Sequence, residues 1–515
     1  MADEVRLVDL LAGLSRLADI GFALPPGESV RAAAVAAHLG RDLGLADDDV
    51  GAAMYSALLL HLGCIGYSHE TARLFGDELV MNGAVARTNT ADPKDVATTF
   101  VPAMMRGRSP LAKARLAVVA FTRGRRFGLA YETSACEVGR AAARRLRLPE
   151  AVERSVYHSY ERWKGGGVPA GLAGEDIPVG ARVAVLATVA AVFDTFEGAA
   201  AAVDAVRAQS GGILDPGLAD AFSRRGGPCL AAVAAGDPHQ MLLELEPASP
   251  MTVAPSQLAV VAEVFGDVAS LKTPWFHGHS RAVARLARSA GEHLGLGGAE
   301  VGDLEVAALL ADLGRVAVPN AVWEKPGPLS RHEWEQVRLH GYHSERIVSA
   351  SARLAPIAPL VGMHHERLDG SGYHRGCTAG QVPRLARIAA AADSYHAMRS
   401  PRPHRPALTA DDAEQALLAE VREGRLDASA VTAVLAVAGH DARARRPLPG
   451  GLSEREAEVL ALVARGCSNA DIAERLVISR RTAEHHVQHV YTKLGLSSRP
   501  AAALFAIEHD LLPPK

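Results

Sequence analysis

Six side chains in the second half of the chain are of the types that hold a transition metal: His279, Asp312, His340, His364, His365 and Asp393. Imidazole nitrogens mixed with carboxylate oxygens suit iron, manganese or zinc, and here they are scattered through an otherwise apolar helical framework. The adjacent pair His364 and His365, followed by Glu366 and the turn Asp369-Gly370-Ser371-Gly372-Tyr373, is far more specific than a lone histidine. An ion held this way is a Lewis acid for a bound oxygen, so the chemistry on offer is metal-assisted binding or hydrolysis.

A second group lies near the carboxy terminus, on a pattern of three capped helices. Ser453 with Glu456 three residues on makes a capping-box start, Ser468 with Asp471 repeats it, and Ser479 opens a third helix. The core stripe of that helix is Ala483, Val487, Val490 and Leu494. At about 100° per residue the opposite side carries Arg481, His485, Gln488 and Thr492, with Glu484 on the flank. Such side chains suit base edges in the major groove of double-stranded DNA.

The elements that position these groups come from a repeat. Residues 161–187 align without gaps onto 366–392 at an offset of 205, matching Glu161/Glu366, Gly165/Gly370, Gly167/Gly372, Pro178/Pro383 and Arg182/Arg387. A second block at offset 251 sets Gly27-Glu28-Ser29 on Gly278-His279-Ser280, and His61-Leu62-Gly63 on Asp312-Leu313-Gly314. The change of offset places about 46 extra residues in the first copy, between Tyr67 and Glu161. Apolar residues recur at helical spacing and strand-like alternation is nearly absent, so both copies are expected to be all-α. Four prolines between Gly236 and Pro255, then the ARARRPLPGG stretch within His440–Gly451, mark boundaries. The expected domains are 1–245, 246–445 and 446–515.

Composition excludes several classes. The 48% hydrophobic content supports more than one core, while 22% charged residues and a net charge of −3 exclude a disordered chain and leave any DNA affinity to a local face. Five scattered cysteines without a C-x-x-C exclude a disulfide framework or a thiolate zinc site. Asp3 and Glu4 precede any apolar run, unlike a signal peptide, and Val183–Phe193 is far short of a membrane span. The reading is a cytosolic chain with no membrane segment.

The second copy resembles the HD-GYP branch of the HD phosphohydrolases over roughly 275–410, including the KPGPLS element from Lys325 to Ser330. That family hydrolyses cyclic dinucleotides at a site of two or three metals. By its pattern Asp312, His340, His364 and His365 would hold one ion, and His279, Asp393 and shared Asp312 a second. The departures are Ala311 for the histidine of the His-Asp pair, Arg315 for the usual lysine and His374 for the proline of Gly-Tyr-Pro. A missing ligand weakens a two-metal site steeply, so hydrolysis is expected to be absent or slow. The first copy has Glu28, Leu60-His61, Ser159-Tyr160, Thr188 and Gly167-Val168-Pro169 at the equivalent positions, so it is expected to serve as a fold, with His61 a buried core histidine.

The tail resembles the LuxR-type (GerE-like) helix-turn-helix through Ser-x-Arg-Glu, Gly-x-Ser-Asn, Ile-Ala-x-x-Leu, Thr-x-x-x-His-Val and Lys-Leu-Gly-x-x-Ser-Arg. The resemblance implies that Glu484, His485 and Gln488 reach the groove while Thr482, His486 and Lys493 lie near phosphates. Glu484 replaces the family's usual lysine, which argues for altered sequence preference or weaker non-specific affinity. The expectation is an all-α transcriptional regulator: two tandem HD-type domains that sense a ligand or mediate dimerisation, then a four-helix LuxR-type domain, acting as a homodimer on a two-fold operator. A metal-dependent phosphodiesterase with a DNA-localising tail is the alternative.

Overall fold

The computed structural model describes residues 4–90, 92–247, 249–439 and 448–512. Asp3 and most of the second boundary segment, 440–447, lie outside them. Regular structure among the described residues is almost wholly helical, as the sequence periodicity requires, with one short antiparallel pair of strands, β1 (Val5–Arg6) and β2 (Thr252–Val253). The chain forms two units, 1–253 and 254–515. The first runs past residue 245 because β2 pairs back onto β1, and the carboxy-terminal helices belong to the second.

In the first unit, α1 (Glu28–Asp42), α2 (Asp47–Leu59), α3 (Pro110–Arg145), α4 (Glu150–Tyr157) and α5 (Val179–Glu197) surround the former site. α1 packs on α2 and α5 through a run of buried small residues, Ala32 to Ala37, whose size permits close approach. Two stretches, Asp47–Phe75 and Val179–Glu197, are long and apolar enough to cross a membrane by length and composition. That corrects the shorter apolar run read from the sequence. The same residues are core helices here, with α5 packed on α1 and α2.

The second unit repeats the plan with α6 (Leu258–Ser270), α7 (His279–His293), α8 (Gly298–Leu310), α9 (His340–Val348), α10 (Ala358–Gly362) and α11 (Arg384–Arg399). α1 and α7 each start after a glycine with positive φ, Gly27 at 101° and Gly278 at 74°, a conformation that side chains disfavour. A 3-10 turn follows α2 at Leu62–Tyr67 and α8 at Leu313–Ala317. Four further helices close the chain: α12 (Glu454–Ala464), α13 (Asn469–Leu476), α14 (Arg480–Leu494) and α15 (Arg499–Glu508). Their caps are those read from the sequence. Ser453 and Glu456 cap each other reciprocally, as do Ser468 and Asp471, and Ser479 accepts from the Thr482 amide at 3.0 Å.

Candidate functional site

Helix ends deliver most of the donors. His279 is the first residue of α7, Asp312 sits where α8 gives way to its 3-10 turn, His340 opens α9, His364 and His365 follow α10, and Asp393 lies inside α11. The six meet in two groups that share Asp312: Asp312 with His340, His364 and His365, and Asp312 with His279 and Asp393, each having donor atoms within 4.8 Å of one another. His340 Nε2 and His364 Nε2 both stand 3.5 Å from Asp312 Oδ1, and His279 Nε2 is 2.9 Å from Asp393 Oδ1 and 3.3 Å from Asp312 Oδ2. His340 Nδ1 donates to the Val337 carbonyl at 2.6 Å and His364 Nδ1 to the Val361 carbonyl at 2.7 Å. These bonds place a proton on each Nδ1 and turn each Nε2 toward Asp312.

Burial and charge set the protonation states. Burial alone would raise the Asp312 carboxyl, but the Arg315 guanidinium and bonds to His279, His340 and His364 hold it well below the usual range. Asp393 is likewise lowered, despite burial, by His365 and His279. Burial, then neighbouring His364, pushes His365 far down, and burial lowers His340. His364 goes the other way: burial would lower it, but its bond to the Asp312 carboxylate raises it, so an ion would displace a proton there. Deprotonated carboxylates and neutral imidazoles are the forms that bind metal. The donor set of the four-residue group therefore fits a divalent cation.

Three contributors were not singled out from the sequence. His396 lies one turn after Asp393 on α11, and its Nδ1 is 2.8 Å from that of His279. The i, i+3 spacing of Asp393 and His396 was the available signal. Tyr373 stacks on His365 with ring centroids 4.3 Å apart. Arg402 lies over the Phe276 ring at 5.2 Å, donates to the Trp275 carbonyl, and is pushed down to about 10 by burial and by Arg315.

The first copy keeps the backbone and loses the donors. A Cβ on Gly63 would stand 2.0 Å from the Ala135 carbonyl oxygen, and one on Gly314 would stand 2.0 Å from that of His340. Ala135 is thus the counterpart of His340, a correspondence that sequence comparison did not supply. Cys64 takes the place of Arg315 and Tyr160 that of His365, and they face each other with Sγ and Oη 3.2 Å apart. His61 is buried, stacks on Phe22 at 4.2 Å, and is lowered to about 4 by burial. The extra residues supply Phe75, Met81, Met104 and Leu116 to one hydrophobic cluster with Phe22, Cys64, Tyr131 and Ala135. The insertion fills the space where the second copy gathers its histidines.

On α14, Arg481, Thr482, Glu484, His485, Gln488 and Thr492 are exposed, His486 is half-buried, and Ala483, Val487 and Val490 face the core. The sequence assigned Lys493 to the phosphates; its Nζ is 2.8 Å from Glu456 Oε2, and His489 Nδ1 is 2.8 Å from Glu456 Oε1. This small domain also touches the segment leading into His279. His277 Nδ1 donates to the Ala464 carbonyl at the end of α12, Arg285 pairs with Asp510 at 2.7 Å, and Pro274 lies against Gly466.

Comparison with known proteins gives matches to two families. The HD domain family matches residues 131–211 and 263–430, one block in each copy, and the family of bacterial regulatory proteins, luxR family, matches 451–506. A 3'3'-cGAMP-specific phosphodiesterase 3 from Vibrio cholerae is 28% identical over 411 residues, covering 79% of this chain and 89% of its own. The cyclic di-GMP phosphodiesterase response regulator RpfG of Xanthomonas campestris is 39% identical over 164 residues, covering 31% of this chain and 43% of that protein. The chain thus spans under half of the second relative. A crystal structure of a cyclic GMP-AMP specific phosphodiesterase of V. cholerae, V-cGAP3, superposes with a TM-score of 0.58 at 25% identity, over 85% of this chain and 98% of that one.

Proposed function

This chain is an HD-domain protein with a carboxy-terminal luxR-family regulatory domain, and from that premise we propose that it is a transcriptional regulator that reads double-stranded DNA through α14. The observation that carries the reading is the exposed face of that 15-residue helix, where Arg481, Glu484, His485 and Gln488 stand clear of the core. One such head buries too little to select a single site, so the chain acts as a homodimer, in the cytoplasm where its DNA is.

The second HD copy is the sensor. Asp312, His340, His364 and His365 would hold a divalent ion, which when bound supplies a Lewis acid for a phosphoryl oxygen. The protein's own residues do the rest: Asp312 orients His340 and His364, and Tyr373 stacks against His365. The ligand is a phosphorylated small molecule of the cyclic dinucleotide class, a choice supported by the names of the relatives. The contacts of His277 and Pro274 with the DNA-binding domain give ligand occupancy a route to DNA affinity, with a coupling of about 1–3 kcal/mol. A second reading, a phosphodiesterase localised by its tail, is favoured by those relatives and by the gathered donors, and is disfavoured by Ala311, which supplies no ligand.

Operator selection followed by footprinting tests the main reading. A chain ending at residue 445 is expected to lose specific binding. Gln488→Ala or His485→Ala should change base preference by about 1–3 kcal/mol, whereas Lys493→Ala should weaken all sequences alike. Full-strength operator binding by the shortened chain would overturn the proposal. Cyclic dinucleotide hydrolysis by the natural chain at ordinary enzymatic rates would promote the second reading.

A further inference from the structure

Arg315 occupies the place that the second donor group would give to another ion. Its Nε is 2.8 Å from Asp312 Oδ1, the oxygen that also faces His340 and His364, and its Nη2 is 3.4 Å from His279 Nε2, so it lies between the two groups and touches two members of the second. The guanidinium does not depend on these partners for its position. Its carbon lies 4.2 Å above the buried Phe276 ring, Trp323 flanks it at 6.0 Å, and the Trp323 indole N–H donates to the Arg315 carbonyl at 3.1 Å. A planar cation stacked on an aromatic face is favoured over a lysine there.

Charge leads the same way. Asp312 and Asp393 are the only carboxylates in the two groups, and Arg315 and both carboxylates are nearly excluded from solvent. One divalent ion on Asp312, His340, His364 and His365, with the Arg315 guanidinium, already exceeds the two carboxylates by one positive charge. A second would place two positive charges next to a permanent cation across a few ångströms of low-dielectric interior. Ala311, buried and small, offers no nitrogen to offset this. The four-donor group fits an ion; the three-donor group does not.

We propose that the second HD copy is a one-ion site in which the Arg315 guanidinium stands where a second ion would bind, forming with the single ion a receptor for a phosphodiester anion. This rests on the sensor reading above. It gives the site two fixed positive centres for phosphate oxygens and no pair of ions to activate a bridging hydroxide, which two-metal hydrolysis requires.

Metal content of the full chain tests it. The purified protein is stripped with a chelator and titrated with Mn2+, the bound ion counted by elemental analysis and its electronic state read by electron paramagnetic resonance. The expected result is one manganese per chain, with the spectrum of an isolated ion. His364→Ala should lower the content to zero, Asp393→Asn should leave one ion, and Ala311→His with Arg315→Lys should raise the content toward two. Two ions in the natural chain, or an exchange-coupled pair, would overturn the one-ion site while leaving the sensor reading intact. No bound manganese would overturn both. Because the spectrum of the natural chain is decisive by itself, a variant that fails to fold does not rescue the idea.

Discussion

Gly63 and Gly314 press on the carbonyls of Ala135 and His340 in the same way, yet one neighbourhood is a hydrophobic plug and the other a cluster of histidines. The shared backbone devices run further. Glu161 accepts from the amides of Ala170 and Gly171, and Glu366 from those of Arg375 and Cys377. Arg182 donates to the Ile177 carbonyl and Arg387 to that of Val382, at the same offset. The two copies teach that the fold is held by turns, close approaches and buried carboxylate-to-amide bonds. The donors are dispensable to it, provided that something fills the space they leave. In the first copy that filling comes from the insertion, through Phe75, Met81, Met104 and Leu116.

The largest contrast to test is metal affinity. His364→Ala in the full chain should abolish stoichiometric binding, a loss on the order of 100-fold or more for a ligand removed from the four-donor group. His61→Ala should leave metal content unchanged, since His61 is stacked on Phe22 with no donor partner from a cluster. Equal losses from the two substitutions, measured by elemental analysis, would erase the distinction between the copies.

Next in size is the pair of close approaches. Gly63→Ala and Gly314→Ala each place a methyl group 2.0 Å from a backbone oxygen, and helices must move apart to admit it. Each should cost about 3 kcal/mol or more of its unit's stability, read from denaturant unfolding. A tolerated alanine at either position would show that the copies do not share this contact.

Much of the second site was legible because metal donors are chemically conspicuous and cap residues act locally. The histidines, both aspartates and the three serine caps could be named from residue types and spacing. Ala135 could not, because an alanine in a long helix carries no signal of what it replaced; only its approach to Gly63 identifies it. The role of Arg315 was also hidden, since a cation resting on Phe276 depends on residues brought together by folding. The insertion was found as a length difference, but its filling role depends on which of its apolar residues reach the space, and that is set by tertiary packing.

Acid should separate the copies further. His61 has an ordinary value of 6.5 and is lowered to about 4 by burial, so between these values it binds fewer protons in the folded first unit than in the unfolded chain. The contribution of His61 to stability is fully present above pH 6.5 and falls as pH drops toward 4, by roughly 3 kcal/mol in all at about 1.4 kcal/mol per unit. Asp19 and Glu28 in the same unit are raised by burial to about 6 and about 7 and act in the opposite direction in this window, so the effect is read as a difference in unfolding at several pH values: His61→Phe should gain stability relative to the natural chain as pH falls from 6.5 toward 4. An unchanged acid slope in that variant would move the cause elsewhere.

The smallest expected effect examines what the copies share. Glu161→Gln and Glu366→Gln preserve shape and one acceptor oxygen but remove the charge that two backbone amides point toward in each copy. Hydrogen bonds to a charged acceptor are worth more than neutral ones; at Glu366 each oxygen takes one amide, so the new NH2 would face a donor, whereas at Glu161 both amides point at Oε1 and a carbonyl oxygen there can keep them. Each substitution should therefore destabilise its own unit, Glu366→Gln by about 1–2 kcal/mol and Glu161→Gln by less. Metal content should fall little with Glu366→Gln, because Glu366 belongs to neither donor group and acts by shaping the turn after His365. A large loss of metal with Glu366→Gln and no destabilisation with Glu161→Gln would mean that this carboxylate serves the chemistry of one copy and not the fold of both.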